Sequence, residues 1–419
     1  MVSRELEAKV ILAVELALKG FKVVLAEKHL AMNYATSSSG AIFFSIWGAH
    51  EKFGGFYRQL KSLGNTVVSL DEEAFVTMGA EFYSKSRLNP QSIEHVDLFL
   101  CLGAWDRGLI EGLGLEIETK IVGNPRVDVL AKQNALDVGI GENLLFASPF
   151  GFANHFLGGR TYLDQLKNSG VLREEATIDL YERYLVYQTE SMKCFLGFAK
   201  HVQVSRPDLK VLYRCHPAEN VEKIADFFSG WGVQVSQNRT LSDDLRDATI
   251  VVHNFCTVGL EAQLIGKKTV AYAPISFGTE DEAYVYENSV IARNFGEGIE
   301  AIDGLLNQSI PVRQFSGGER ISILEEGSAS CIAKELSNRF GATGYTKPAR
   351  VNSKFLMFVA KKMLRSKIRG KNKYFETRQL GLDIENIRHI VSTYHPDTSI
   401  SVKKPLYGPF FELESEDYA

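Results

Sequence analysis

Two successive series of short, continuously apolar runs alternate with helix-patterned segments along this chain, and that alternation confines it to α/β folds. The first series is FKVVLA (21–26), AIFFSI (41–46), NTVVSL (65–70), DLFLC (97–101) and KIVG (120–123). The second is NLLFAS (143–148), KVLY (210–213), VQVS (233–236), TIVVH (249–253) and KTVAYA (268–273). Strands that are apolar on both faces belong to a parallel sheet covered by helices on both sides. The intervening helices are expected near 54–63, 174–205, 218–229, 240–246 and 257–265. Gly139 and Gly141 interrupt the pattern between the series and place a boundary there. The expectation is two Rossmann-like domains facing a cleft, an N-terminal one over residues 1–138 and a C-terminal, nucleotide-binding one over 139–340.

The chain opens on a helix. Ser3 can cap it, Leu6, Val10, Ala13 and Ala17 recur at helical spacing, and Gly20 stops it. A doubly wound domain opens on a strand. Either the first strand is missing from the chain or the sheet starts one strand short.

The 419 residues, 45% hydrophobic and 23% charged, suffice for two domains of ordinary size. A net charge of −4 gives the whole molecule no affinity for polyanions, so no nucleic-acid partner is expected. Five scattered cysteines without a CxxC pair suit reduced thiols and argue against a zinc site. The polar start and the lack of an 18-residue apolar run predict a cytoplasmic protein without a membrane span. The segment 341–419 reads as a basic helical tail: Lys347 to Lys373 holds ten basic residues and no acidic one. A helix over 354–369 either packs back across the domains or makes a peripheral contact with an anionic membrane at its inner face.

Ligands of open α/β sheets sit beyond the carboxyl ends of the strands. Two segments of the second series occupy that place. In VLYRCHPAEN (211–220), Pro217 suits the first turn of a helix, and Arg214 and His216 add donors beside its positive end. In HNFCTVGLEA (253–262), Thr257 can cap a helix, Gly259 lets a ligand approach, and Glu261 lies one turn on, able to accept from ribose hydroxyls. Each alone reads equally as a capping turn; together they point to a phosphate and ribose site. Asn124 and Arg126 in GNPRVDVL (123–130) are further nucleotide-site candidates, the alternative being an Arg126–Asp128 pair that fixes a linker. LDEEAF (70–75) and SPFGFANH (148–155) are polar loops at strand ends, with Asn154 and His155 able to line the cleft.

SRELEAK (3–9), LDEEAF, GNPRVDVL, SPFGFANH, RCHPAEN and HNFCTVGLEA, in this order, resemble a family named surface carbohydrate biosynthesis proteins. The resemblance spans about residues 1–275. It implies a glycosyltransferase of the two-Rossmann, GT-B type, similar to Kdo and sialic acid transferases that use a CMP-sugar. It also implies a glycan or lipid-linked acceptor on the N-terminal side. The chain departs from the family at Val258, at Pro149 and in its missing first strand. By the resemblance, His216 contacts the donor phosphate, Thr257 the phosphate or ribose, Glu261 the ribose, and Asn254 lies in the same motif. The nucleotide-sugar is a substrate, so no cofactor is expected, and no metal. Glu5, Glu72 and His155 are candidates for the catalytic base, with Asp71 and Glu73 beside them. A CDP-glycerol-type glycerophosphotransferase, a nucleotide-sugar epimerase and a non-catalytic nucleotide-binding protein of surface glycan assembly stay open as alternatives.

Overall fold

A computed structural model describes residues 3–77, 79–136, 141–172, 174–237, 239–279, 284–311, 315, 318–341, 383–404 and 410–416. The chain divides into two compact units, Met1–Lys132 with Gly317–Ala419, and Gln133–Ser316. Residues 318–341 and 383–416, expected in the second domain and in a separate tail, therefore group with the first unit. The basic stretch 347–373 lies outside the described residues. Among the described residues no helix is long and apolar enough to cross a membrane.

The first unit begins with α1 (Ser3–Ala17), β1 (Val23–Ala26), α2 (Lys28–Ala35) and β2 (Ile42–Ser45). It continues through α3 (Gly54–Ser62), β3 (Thr66–Leu70), α4 (Ala80–Arg87), α5 (Pro90–Ile93), β4 (Leu98–Cys101), α6 (Ala104–Glu111), β5 (Thr119–Ile121) and α7 (Pro125–Leu136). Strands β2, β3, β4 and β5 pair in that order, all parallel. Val67, Val68, Leu98, Phe99 and Leu100 are fully buried, as continuous apolar runs require.

The second unit is a six-stranded parallel sheet. Its elements are β6 (Asn143–Ala147), α8 (Gly159–Asn168), α9 (Glu175–Ser205), β7 (Lys210–Arg214), α10 (Val221–Phe228), β8 (Gln234–Val235), α11 (Leu241–Arg246), β9 (Ala248–His253), α12 (Thr257–Leu264), β10 (Lys268–Tyr272), β11 (Val290–Ala292) and α13 (Phe295–Leu306). The strand order is β11-β10-β9-β6-β7-β8. The first strand, β6, lies in the middle, and the chain winds outward from it first on one side and then on the other. That order makes this unit doubly wound, with its topological switch between β6 and β9. The core is aromatic: Phe146, Phe150, Phe195, Phe198, Tyr213 and Tyr272 pack between the sheet and α9.

The chain then returns to the first unit as α14 (Ser328–Phe340), α15 (Ile384–Tyr394), β12 (Ile400–Lys403) and β13 (Phe410–Ser415). Here one expectation is corrected. FKVVLA does not join the parallel sheet: β1 pairs antiparallel with β13, Val23 opposite Leu413, in a separate sheet ordered β1-β13-β12. The face Leu6, Val10, Ala13 of α1 is buried against Ile387, Ile390, Phe411 and Leu413. The partners lie nearly the whole chain away, so periodicity near the N-terminus cannot reveal them.

Candidate functional site

Three strand ends of the second unit stand level. Ala147 at the end of β6 is in register with Arg214 of β7 on one side and His253 of β9 on the other. The loops that leave them, 148–158, 215–220 and 254–256, therefore emerge along one carboxyl edge, at the switch point.

The first two loops are bolted together by a residue that sequence reading passed over. Glu219 is buried, and its carboxyl accepts from Ser148 Oγ at 2.6 Å, from the His216 backbone N–H at 2.8 Å and from Asn154 Nδ2 at 3.4 Å. Burial outweighs these donors and raises its pKa to about 7. The Asn220 N–H donates to Asn154 O, and His155 bridges to Glu219. From the other side Gln188 of α9 holds the loop, accepting from Phe152 and Ala153 N–H and donating to Pro149 O.

This bolting overturns the expected role of Pro217. Ala218 O accepts from Phe156 N–H and the Asn220 N–H donates to Asn154 O, the Glu219 N–H closes a turn onto His216 O, and α10 starts only at Val221, capped by Asn220, whose side chain accepts from Lys223 N–H at 3.1 Å. Pro217 lies in a turn. His216 is half-buried, and its Nδ1 accepts from the Ala218 N–H at 3.1 Å. The neutral ring then carries its proton on Nε2. It rests against Gly151: a Cβ there would come within 2.1 Å of Nδ1, so only glycine admits the contact. Arg214 does not stand ready for a phosphate. It pairs with the buried Asp244, which Arg239 also binds at 2.8 Å, and it donates to Arg239 O and Thr240 O. Its charge is already balanced.

The third loop is strained. Phe255 adopts a φ of 34°, a conformation bulky residues avoid, and its N–H donates to Tyr286 OH. The turn leads directly into α12. Thr257 is the first helical residue, not the cap; Cys256 holds the cap position without a side-chain hydrogen bond. Asn254 is buried and donates to Tyr272 O, so its amide supports the turn. Glu261, one turn beyond Thr257, is 2% exposed, which leaves little of it for a ribose to meet.

Gly259 also makes room for a neighbouring ring. A Cβ on it would fall 2.4 Å from Nδ1 and Cε1 of His253. That ring is fully buried, bonded through Nε2 to Ser289 Oγ at 2.8 Å, and Ser289 is held in turn by Thr269 and Gln263. Burial lowers the His253 pKa to about 3, so the ring is neutral at ordinary pH. We expect Gly259→Ala to destabilise the protein by about 1–2 kcal/mol: overpacking typically costs about 1–3 kcal/mol and helix propensity returns at most about 1. A double-mutant cycle with His253→Ala in chemical denaturation checks this. The clash predicts that the pair is less destabilised than the sum of the single variants.

His155 is buried, stacks on Tyr162 at 3.9 Å with rings 5° from parallel, and accepts through Nδ1 from the Leu157 N–H. In the first unit, Glu72 forms a buried ion pair with Lys9 of α1. Asp71 pairs with Arg87, and Glu73 is exposed. The side chain of Glu5 lies outside the described residues. Asn124 is buried and accepts from the Arg126 N–H at 3.0 Å, and Arg126 lies 5.8 Å from the Phe75 ring centroid. Asp128 accepts from Ser328 and Ala329 N–H, at 2.8 and 2.7 Å, and so caps α14.

The class this geometry defines is a doubly wound α/β unit with three structured loops at its switch point. No model of a known protein family matches the chain, and no curated protein does. Solved structures similar to it include a UDP-N-acetylglucosamine 2-epimerase at 13% identity, covering 76% of this chain and 78% of that one, with a TM-score of 0.47. Another is the UDP-GlcNAc 2-epimerase from Neisseria meningitidis, solved bound to UDP-GlcNAc: 11% identity, 72% and 76% covered, TM-score 0.44. A third is the wall teichoic acid polymerase TagF, at 12% identity, 73% and 68% covered, TM-score 0.33. No residue role follows from likenesses at this level.

Proposed function

We propose that the chain is a nucleotide-sugar-dependent glycosyltransferase of surface glycan assembly, with the nucleotide held at the carboxyl ends of β6, β7 and β9. The observation that supports this is the level register of Ala147, Arg214 and His253 at the switch point of a doubly wound sheet. Mononucleotides bind such folds in that crevice. The start of α12 offers N–H groups and the positive end of its dipole, with the Thr257 hydroxyl beside them. His216 supplies a donor for the leaving phosphate. Negative charge builds there as the glycosidic bond breaks, so fixed donors act most strongly in the transition state. Arg214 contributes indirectly, by anchoring the end of β7 to α11.

The donor nucleotide is CMP on the strength of the motif resemblance. A thermal-shift panel with CMP, CDP, UDP and GDP tests this. CMP at 100 times its dissociation constant is expected to stabilise the protein by about 2.7 kcal/mol. A larger response to UDP would replace the base while keeping the site; no response to any of the four would remove the nucleotide reading. An epimerase would turn over the nucleotide-sugar with no acceptor present, which a coupled assay distinguishes from transfer.

A further inference from the structure

The carboxyl edge of the other parallel sheet, β2 to β5, carries a cluster that the nucleotide reading leaves unused. Lys28, the first residue of α2, places its ammonium 4.4 Å from the Trp47 ring centroid and 4.7 Å from that of Phe53. Lys52 places its own 5.2 Å from the Phe53 centroid. Trp47 and Phe53 stack at 5.1 Å. The loop bearing them is rigidly held: the Gly48 carbonyl accepts from Tyr57 OH at 2.8 Å and from Ser69 Oγ at 3.0 Å, and the Ala49 N–H donates to Arg87 O. Arg87 closes the cluster, with both oxygens of the buried Asp71 bound to its guanidinium.

Of the nearby carboxylates, Glu27 raises the proton affinity of Lys28 through space without closing to an ion pair. Asp71 is taken by Arg87. Glu27 caps α2, accepting from the His29 N–H, and Glu73 is exposed beside Arg87. Neither Lys28 nor Lys52 forms an ion pair among the described residues; both rest on aromatic faces instead. Partial burial and then Lys52 lower the proton affinity of Lys28, and partial burial and then Arg87 lower that of Lys52. His50, in the same loop, is pushed down to about 4 by burial and these cations, and is neutral at pH 7. Two ammoniums, one from the start of α2 and one from the loop after β2, thus meet at the Phe53 ring, beside strand ends where ligands commonly sit.

We propose that Lys28 and Lys52 form an anion site that takes a phosphate or carboxylate group of a ligand, with Arg87, neutralised by Asp71, holding the loop behind them. The aromatic rings hold the two ammoniums in place, so little side-chain freedom is lost when the anion arrives. The site belongs to the first unit and is independent of the nucleotide reading.

The test is a thermal-shift titration of the full chain at low ionic strength with inorganic phosphate and with N-acetylneuraminate, against chloride at matched ionic strength. Lys28→Met and Lys52→Met keep the apolar stem on the rings and remove the charge. The expected result is stabilisation by phosphate or neuraminate beyond that in chloride, with the half-saturating concentration raised roughly tenfold in each variant, as loss of one charged hydrogen bond implies. Which probe acts identifies the ligand's acidic group. No effect beyond chloride, or an unchanged response in both variants, overturns the proposal. The response to CMP is expected to stay at its unsubstituted value in both variants, so a failure here and a failure of the nucleotide reading are told apart.

Discussion

Glu219→Ala is expected to destabilise the protein by about 3 kcal/mol in urea or guanidinium unfolding. The substitution leaves the Ser148 hydroxyl and the His216 N–H without their acceptor, while the Asn154 amide keeps its bond to Asn220 O, and each buried orphan costs about 1–3 kcal/mol. Glu219→Gln keeps an acceptor oxygen and separates geometry from charge. The carboxyl titrates near its ordinary value of 4.5 in the unfolded chain and at about 7 in the folded one. The folded state therefore holds the proton more tightly. The stability this confers is complete below pH 4.5 and is lost as pH rises to 7, a change of about 3 kcal/mol at 1.36 kcal/mol per unit. Unfolding free energies measured from pH 4.5 to 7.5 should fall across that window in the unsubstituted protein and lose that component of the slope in Glu219→Gln. Equal slopes in the two proteins would show that Glu219 titrates normally.

His216→Ala is expected to lower kcat for the proposed sugar transfer roughly a hundredfold, with the unfolding midpoint little changed. Loss of one preorganised donor to a developing charge costs about 3 kcal/mol in the transition state. The backbone contacts of the loop survive the substitution, since the His216 N–H still reaches Glu219 and the His216 carbonyl still accepts from the Glu219 N–H. Turnover near that of the unsubstituted protein would reduce His216 to a turn residue. A concerted loss of kcat and folding would mean that the ring's packing against Gly151 matters more than its chemistry.

The sequence by itself determined most strands of the second unit and its longest helix, though not α8, β11 or α13. NLLFAS, KVLY, TIVVH and KTVAYA became β6, β7, β9 and β10, and the helix read at 174–205 became α9. Continuous apolar runs and long amphipathic segments are local signals, and local signals survive without knowledge of partners. The same holds for the loops at the strand ends, which motif reading picked out as the candidate site. Tertiary structure decided what each side chain in them does. Pro217 looked like a helix start, but Ala218 O and the Asn220 N–H bond to the loop at 148–158, and the helix waits until Val221. Arg214 looked available, but Asp244, which lies 30 residues on, balances it. The packing of His253 against Gly259 was not legible from HNFCTVGLEA. At the N-terminus, FKVVLA announced a strand but not its partner, because β13 lies at the far end of the chain. A strand is written in its own residues; a hydrogen bond or an ion pair between distant segments is written in neither of them alone.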